Sequence, residues 1–302
     1  MRIIMLGTSA SIPTPKRGLP AIAVQRKDEL ILFDFGEGSQ RNLLATHLGI
    51  DRKTKIFTTH LHGDHVLGIP GLIQTMSLLG RKKSLDIYGP EGIRDFVESI
   101  LRTVRYTLTF PINVSEVGVG IVCKDPEYEV HAVWGEHGVP NLAYALIEKA
   151  RPGKFNPKKA QALKIPVSLW RKLQYGENIR LPDGRSVRSD EVVGPMRPGR
   201  KIVYSGDTRP VKAIVKLAEN ADLLIHDATF AQALAEKAVQ DGHSTASEAA
   251  EVAKKSKVKQ LVLTHISPRY ENPRILLKEA QKVFRKTKVA EDLMKFEISY
   301  LK

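Results

Sequence analysis

The stretch Thr59-His60-Leu61-His62-Gly63-Asp64-His65 places three histidines and one aspartate within six positions. It follows Lys55-Ile56-Phe57-Thr58, which has the pattern of a buried strand, and precedes a helix-like segment from Val66 towards Leu79. A turn between a strand and a helix aims alternate side chains at one point, while the strand holds them rigid. Zinc accepts imidazole nitrogens and carboxylate oxygens, and so dense a set predicts two neighbouring metal ions. A polar turn that contains histidines by chance does not account for this density.

Length and composition are those of a globular protein rather than of a membrane protein. The 302 residues are 42% hydrophobic, which is enough for a sizeable core. No apolar run approaches the roughly 18 residues of a membrane span, and the apolar start at residues 1–7 is too short for a signal peptide. The single cysteine, Cys123, excludes an internal disulfide framework, and its strand-like setting favours a buried residue over a nucleophile. We therefore expect a cytoplasmic protein with no membrane association.

The net charge of +14 is concentrated in one part of the chain. Such a charge attracts polyanions, and nucleic acid is the natural partner because each neutralised phosphate releases counterions. Residues 151–200 carry 12 lysines and arginines against 4 acidic residues, a net charge of +8. Pro152-Gly153 and Pro198-Gly199 bracket this stretch, which we interpret as a basic insertion that projects from the domain. A solvated loop whose charge has no partner is the alternative.

Strands alternate with helices along the rest of the chain, and polar residues recur where the predicted strands end. These residues are His60 and His62, His137, Asp207, His226 and Asp227, and His265. In α/β proteins this edge of a sheet is where sites are built. Each of His137, Asp207 and His265 taken alone is equally a candidate for a capping or core residue, but together they supply the ligands that two ions still lack. His131 and His47, predicted in the middle of a strand and on a helix, are interpreted as structural.

Asp34 has two interpretations that the sequence leaves open. It ends the predicted strand Ile31-Leu32-Phe33-Asp34 and precedes a helix predicted to begin at residues 36–39 and to run through Leu48. A carboxylate at the carboxyl end of a strand can orient a metal-bound histidine from behind. An aspartate just before a helix can equally cap that helix. Farther along, Ser244 or Thr245 is predicted to cap a helix over residues 246–256.

The cluster at residues 59–65, followed by His137, Asp207 and His265, resembles the metallo-β-lactamase superfamily over nearly the whole chain. Within it the sequence resembles the ribonuclease Z family. His226-Asp227-Ala228-Thr229 matches that family's His-Glu-Ala-Thr loop with Asp in place of Glu, and His243-Ser244-Thr245 matches its His-Ser-Thr loop. The basic insertion occupies the place of the family's tRNA-binding arm.

This resemblance implies the fold and the ligand set. The fold is the α/β metallo-β-lactamase four-layer αβ/βα sandwich, with two mixed sheets and helices outside. It forms one domain over residues 1–302, with a protruding basic arm inserted at about residues 151–199. Two Zn²⁺ per subunit, replaceable by Mn²⁺ or Co²⁺, would be held by His60, His62 and His137 and by Asp64, His65 and His265, with Asp207 as the bridge.

The resemblance also implies the activity. We expect a zinc-dependent homodimeric endoribonuclease that cleaves the 3′ trailer from tRNA precursors and leaves a 3′-hydroxyl on the tRNA. Asp64 would accept the proton of the attacking water, and His243, oriented by Asp227, would protonate the leaving oxygen. A departure lies after Gly7, at Pro13-Thr14-Pro15-Lys16-Arg17-Gly18, where many family members have an asparagine after an arginine. That loop is associated with the choice of cut site.

Two alternatives come from other functional classes. The first is a small-molecule phosphodiesterase or arylsulfatase of the same superfamily. It explains the metal centre but not the basic insertion. The second is a metal-dependent RNA-binding protein without turnover. It does not explain the complete ligand set, because binding alone needs no water-activating ions.

Overall fold

The computed structural model of the protein describes residues 1–300, which divide into two compact units. The first unit consists of Met1–Ile147 and Lys201–Ser299, and the second of Glu148–Arg200 together with Tyr300. The second unit contains the stretch interpreted as a basic insertion; its projection as an arm stays a prediction.

Sixteen strands and ten α-helices are formed by residues 1–300. The strands are β1 (Arg2–Gly7), β2 (Ala21–Arg26), β3 (Glu29–Phe35), β4 (Lys53–Phe57), β5 (Leu85–Gly89), β6 (Ile112–Glu116), β7 (Gly120–Lys124), β8 (Tyr128–Trp134), β9 (Leu142–Glu148), β10 (Ile179–Arg180), β11 (Ser186–Val187), β12 (Lys201–Tyr204), β13 (Leu223–Asp227), β14 (Leu261–Thr264), β15 (Thr287–Val289) and β16 (Lys295–Glu297). The helices are α1 (Ser39–Ala45), α2 (Gly63–Val66), α3 (Gly68–Leu78), α4 (Ile93–Thr103), α5 (Pro157–Ala162), α6 (Val167–Gln174), α7 (Lys212–Leu217), α8 (Ala235–Gln240), α9 (Ala246–Lys255) and α10 (Arg274–Val283). Across residues 1–300, no helix has the length and apolar character needed to cross a membrane.

Two seven-stranded mixed sheets form the first unit. One has the strand order β16-β1-β2-β3-β4-β5-β6, and the other has the order β15-β14-β13-β12-β9-β8-β7. Neighbouring strands run parallel from β3 to β6 and from β12 to β15, and β1, β2 and β16 pair antiparallel. The carboxyl ends of each parallel set therefore meet at one edge of their sheet.

The core of the first unit is divided by the two sheets into three layers of apolar contacts. Successive side chains of a strand point to opposite faces, so Ile3 and Met5 pack between the sheets while Ile4 and Leu6 pack against the helices outside. The second sheet is covered in the same way by α7, α9 and α10. This arrangement confirms the expected four-layer αβ/βα sandwich.

The second unit has a small core of its own, around α5, α6 and the two-stranded sheet β10–β11. Asn156 caps α5 by accepting a hydrogen bond from Lys159 N at 3.0 Å. The buried apolar residues of this unit are Ala160, Ile165, Leu173, Ile179, Leu181, Val187 and Val192. Its lysines, among them Lys158, Lys159 and Lys164, lie exposed on the surface.

Two helix boundaries differ from the sequence prediction. The first helix ends at Ala45 instead of running through Leu48, so His47 lies outside it, in the left-handed region with φ 56°. The prediction that His47 lies on a helix is therefore wrong. The helix predicted from Val66 begins earlier, at Gly63, and is divided into α2 and α3, so Asp64 and His65 lie in its first turn.

Candidate metal centre

The carboxyl ends of strands from both sheets converge on one group of polar side chains. Asp34 lies near the end of β3, His60 and His62 follow β4, His137 follows β8, Asp207 follows β12, Asp227 ends β13 and His265 follows β14. The turn after β12 requires a glycine at position 206. Gly206 has φ 59°, and a Cβ there would lie 2.8 Å from Asn141 Oδ1 and 2.9 Å from Thr59 Cβ. This close approach lets Asp207 reach the histidines of the other sheet.

One carboxylate oxygen, Oδ2 of Asp207, lies at the centre of four histidines. Its distances to their Nε2 atoms are 3.1 Å for His265, 3.2 Å for His65, 3.8 Å for His137 and 3.9 Å for His60. A second carboxylate oxygen, Oδ2 of Asp64, lies 3.5 Å from Nε2 of His265 and 3.6 Å from Nε2 of His65. The predicted bridging position of Asp207 is thus the one that contacts both sets of predicted ligands.

The other ring nitrogen of these four histidines, Nδ1, is anchored outside the centre. The partners are Thr59 Oγ1 for His60 at 3.0 Å, Asp34 Oδ2 for His65 at 2.7 Å, Gly242 O for His137 at 2.9 Å and Thr229 Oγ1 for His265 at 2.9 Å. His62 is oriented differently, with its Nδ1 3.0 Å from His60 Nε2 and 3.2 Å from His137 Nε2. An anchored Nδ1 fixes the plane of the ring and directs Nε2 at the centre.

The donor set fits divalent cations. Ligand atoms of His60, His62 and His137 lie within 4.8 Å of one another, as do those of Asp64, His65 and His265. Nε2 of His65 is buried and lies 3.2 Å from Asp207 Oδ2, yet it has no hydrogen-bond partner among residues 1–300, which fits a cation bound in that direction. Neutral imidazoles and ionised carboxylates are the forms that bind such ions.

The protonation states of four candidate ligands match this requirement, whereas for His65 the neighbouring Asp207 and Asp34 outweigh burial and raise its pKa well above its usual range. Burial lowers the pKa of His60 and of His62, so both keep a free lone pair at neutral pH. Burial alone would raise the pKa of Asp207, but His265 and His65 lower it well below its usual range. Burial alone would also raise the pKa of Asp64, but the hydrogen bond from His265 and the charges of His65 and His265 together lower it. Both carboxylates are therefore ionised.

Asp34 is a support for the centre and not a helix cap. Its two oxygens accept hydrogen bonds from Thr59 N at 2.7 Å and Tyr204 OH at 2.9 Å, in addition to the contact with His65 Nδ1. The N-cap residue of α1 is Gly38. Both Asp34 and His265 adopt left-handed backbone conformations, with φ 52° and 57°. Such strain costs about 1–3 kcal/mol per residue and concentrates at functional sites.

A second pair of side chains lies beside the ligands. Asp227 Oδ2 lies 2.9 Å from His243 Nδ1, so the shorter aspartate still makes the contact expected of a glutamate. Thr208 N and Thr229 N donate to the two oxygens of Asp227 at 3.0 and 2.9 Å and hold it in place. The His243 ring centroid lies 4.7 Å from that of His137. Burial works against the charged form, but Asp227 raises the pKa of His243 to about 9.

The remaining polar residues of the sequence prediction divide into those in the centre and those outside it. His62 is exposed and Asp64 is partly exposed, so the centre opens to solvent on this side. His226 is fully buried and directs Nδ1 at Asp227 O, 2.8 Å away, outside the groups of candidate ligands. His131 contacts Glu129 at 2.8 Å within β8, in agreement with a structural role.

The fold and the ligand set together define a protein of the metallo-β-lactamase superfamily. Residues 19–132 match the family described as Metallo-beta-lactamase superfamily, and residues 185–266 match the Beta-lactamase superfamily domain. This superfamily implies a divalent metal.

Similar proteins of known family show to which family of this superfamily the chain belongs. Ribonuclease Z of Methanosarcina acetivorans is 48% identical over 302 residues, which cover 99% of both chains. Ribonuclease Z of Methanothermobacter thermautotrophicus is 46% identical over 299 residues, which cover 99% of this chain and 97% of that one. The crystal structure of the short form of human tRNase Z superposes with a TM-score of 0.73 at 30% identity, covering 99% of this chain and 100% of that chain. The chain belongs to the ribonuclease Z family and is an endoribonuclease that hydrolyses phosphodiester bonds.

Proposed function

We propose that this protein is a zinc-dependent endoribonuclease that cleaves the 3′ trailer from tRNA precursors and leaves a 3′-hydroxyl on the tRNA. The observation that carries the proposal is the convergence of four histidine Nε2 atoms on Asp207 Oδ2, with the His243–Asp227 pair beside them. The substrate is proposed from the full-length similarity to proteins named ribonuclease Z or tRNase Z.

Seven side chains would hold two Zn²⁺ per subunit, which Mn²⁺ or Co²⁺ would replace in vitro. They are His60, His62 and His137 for one ion, Asp64, His65 and His265 for the other, and Asp207 between them. When bound there, two ions supply an activated water and offset negative charge on the attacked phosphate.

Two residues of the chain would move protons. Asp64, which also accepts a hydrogen bond from Ser11 N at 3.0 Å, would take a proton from the attacking water. His243 would give a proton to the leaving 3′ oxygen of the tRNA, while the phosphate stays on the 5′ end of the trailer, because Asp227 holds its Nδ1 and leaves Nε2 to face the substrate. Asp227 stabilises the protonated ring and fixes its orientation.

A precursor tRNA with a short 3′ extension tests the proposal directly. We expect the zinc-loaded protein to release the trailer in one cut and to leave a tRNA with a 3′-hydroxyl, which end-specific labelling and sequencing of both products would identify. Intact RNA with both zinc and manganese would refute the proposed activity. A 3′-phosphate on the tRNA would refute the proposed bond of attack.

The role of His243 is tested by changing the leaving group. In His243→Ala the rate of RNA cleavage is expected to fall about 10²–10⁴-fold, which is the usual contribution of a general acid. A small phosphodiester with a nitrophenol leaving group needs no proton on departure, so its hydrolysis should be nearly unchanged. An equal loss on both substrates would show that His243 does not serve as the proton donor.

The second unit is proposed to bind the folded tRNA through its phosphates, because double-helical RNA is recognised mainly by its shape and backbone. Replacing Lys158, Lys159 and Lys164 with glutamine should raise KM for precursor tRNA and reduce its salt dependence, while hydrolysis of the small diester stays unchanged. The matched control replaces Lys254, Lys255 and Lys257 of the first unit, which are also exposed. Equal effects of the two triple variants would contradict an arm specific for tRNA.

We also propose a cytoplasmic homodimer in which the arm of one subunit serves the active site of the other. Light scattering measures the mass in solution. Mixing subunits that carry Asp207→Ala with subunits that carry the three arm substitutions should restore cleavage of precursor tRNA, because one mixed site then has both intact parts. A monomer, or no restoration after subunit exchange, would contradict this assembly.

A further inference from the structure

Arg209 is not one of the candidate ligands, but it contacts both the loop that contains His137 and the loop that contains His243. Its main-chain N donates a hydrogen bond to Glu136 O at 2.8 Å. Its side chain donates to His243 O and forms a two-point ion pair with Glu248 on α9. The guanidinium thereby joins the main chain of the proposed proton donor to the first turn of the following helix.

This ion pair is largely shielded from solvent and is coupled to the cap of α9. The side chains of Arg209 and Glu248 are 13% and 26% exposed. Thr245 caps α9, and Glu248 completes the capping box by accepting from Thr245 N at 2.8 Å. The same carboxylate therefore fixes the start of the helix and the arginine, and His243 lies two residues before the cap.

We infer that Arg209 is a positioning residue for His243. Asp227 fixes the imidazole by its Nδ1, but the ring is aimed at the leaving oxygen only if the main chain at His243 is held as well. His243 N donates to Ala238 O at 2.8 Å, and the Arg209 side chain restrains the other side of the residue through His243 O. Its contact with the His137 loop runs through the main chain at Glu136 and survives substitution of the side chain. The inference rests on the proposed role of His243 as proton donor.

The decisive experiment combines substitutions at positions 209 and 243 with the two kinds of substrate. In Arg209→Met we expect kcat for precursor tRNA to fall about 10–100-fold, because a proton donor displaced by about 1 Å loses much of its contribution. KM for the tRNA, hydrolysis of the nitrophenyl diester and the zinc content per chain should stay unchanged. In the His243→Ala background the same substitution should cost nothing further, since it acts through the imidazole.

The outcomes separate this inference from the proposal on which it rests. If His243→Ala slows both substrates equally, the proton-donor role fails and the inference fails with it. If His243→Ala slows only RNA cleavage but Arg209→Met lowers both activities, or lowers zinc content, Arg209 supports the ligands instead and the inference is overturned. Independent, multiplying losses in the double variant would also overturn it.

Two further variants guard against a trivial result. Glu248→Gln removes the ion pair while keeping an acceptor for the helix cap, so it should reproduce a smaller loss on RNA even if Arg209→Met folds poorly. Lys237→Met removes a nearby positive charge that pairs with Asp241 at 2.9 Å and is not bonded to His243. It should leave both activities unchanged; a loss specific to RNA in this control would show that charge alone explains the effect.

Discussion

The same strands carry a buried polar cluster at each end, and the two clusters are built on opposite principles. At the carboxyl ends, Asp34 and Asp207 flank the buried ring of His65, whose Nε2 lies 3.2 Å from Asp207 Oδ2 but makes no hydrogen bond among residues 1–300. At the amino ends of β3, β4 and β8, Lys55 Nζ donates to Glu29 Oε1 at 2.8 Å, and Tyr128 OH donates to the same oxygen at 2.7 Å. The amino-end cluster pairs its lysine directly with a carboxylate, while the carboxyl-end cluster gathers several imidazoles and carboxylates, as a cation site requires.

This difference assigns separate tasks to the two ends of the sandwich. The amino-end cluster has ordinary backbone conformations at Glu29, Lys55 and Tyr128, whereas the carboxyl-end cluster holds Asp34 and His265 in left-handed ones. Strained backbone and excess ligand groups reduce stability and are retained where chemistry needs them. We therefore expect substitutions at the carboxyl end to change activity more than stability, and substitutions at the amino end to do the reverse.

The largest effect is expected at Asp207. In Asp207→Asn, RNA cleavage should fall about a thousandfold, because bound ions supply several kcal/mol of transition-state stabilisation. Elemental analysis should show less than the full complement of metal. The free energy of unfolding measured without added metal should change little. Full activity with full metal content would contradict the bridging role.

At the opposite end, Lys55→Met should destabilise the protein by about 3–5 kcal/mol, because it leaves Glu29 as a buried charge without its main partner. Urea unfolding measures this loss, and kcat per folded molecule should stay at the wild-type value. The double substitution Glu29→Gln with Lys55→Met should recover much of the stability, since both charges are then absent.

Lys53→Met is the matched control for Lys55→Met. The Lys53 side chain is 55% exposed, although it lies 2.8 Å from Asp125 Oδ2. Surface ion pairs contribute about 0–1 kcal/mol, so this variant should unfold at nearly the wild-type urea concentration. A loss as large as that of Lys55→Met would show that burial is not what makes the amino-end cluster stabilising.

An intermediate effect is expected at Asp34. In Asp34→Asn the amide keeps the shape and one acceptor but loses the charge that orients His65, so metal affinity or kcat should fall about 10–100-fold. Competition with a chelator measures the affinity. His47→Asn serves as a control, since His47 also has a positive φ but lies outside the centre. Unchanged metal affinity in Asp34→Asn would remove Asp34 from the support of the site.

The smallest effect concerns Cys123, near the amino-end cluster. This thiol is 8% exposed, and burial raises its pKa, so both access and thiolate are limited. A thiol reagent should label the native protein slowly and the urea-unfolded protein fast. The native protein should keep its activity during the labelling. Rapid labelling of the native state would show that the amino-end cluster opens readily to solvent.

The site could be predicted in part because four of its candidate ligands lie within six positions of the sequence. Spacing alone indicates a metal site at His60, His62, Asp64 and His65. The assignment of His137, Asp207 and His265 depends instead on where the strands end and on resemblance to a family. Asp34 stayed open between two roles because its partners, His65 and Tyr204, lie 31 and 170 positions away. Spacing alone carries no information about such contacts.

Other features gave little or no signal in the sequence. Glu29, Lys55 and Tyr128 are ordinary polar residues of strands, and Lys55 meets its partners at separations of 26 and 73 positions. Arg209 and Glu248 likewise meet only after the two chain segments pack. The short helix α6, between Pro166 and Gly176, has only eight residues, which are too few for periodicity to distinguish a helix from a loop.

The distribution of the ligands along the chain has a consequence for biosynthesis. At translation rates of ~5–20 residues per second, the ribosome needs about 10–40 s to pass from His65 to His265. During that interval the His60–His65 segment lacks His265 and, at first, Asp207, so a cation would find only part of the proposed ligand set. Full metal affinity arises only after both sheets have formed and joined. We therefore expect metal to be bound last, after the fold is complete, so that a chain interrupted in synthesis has no assembled active site.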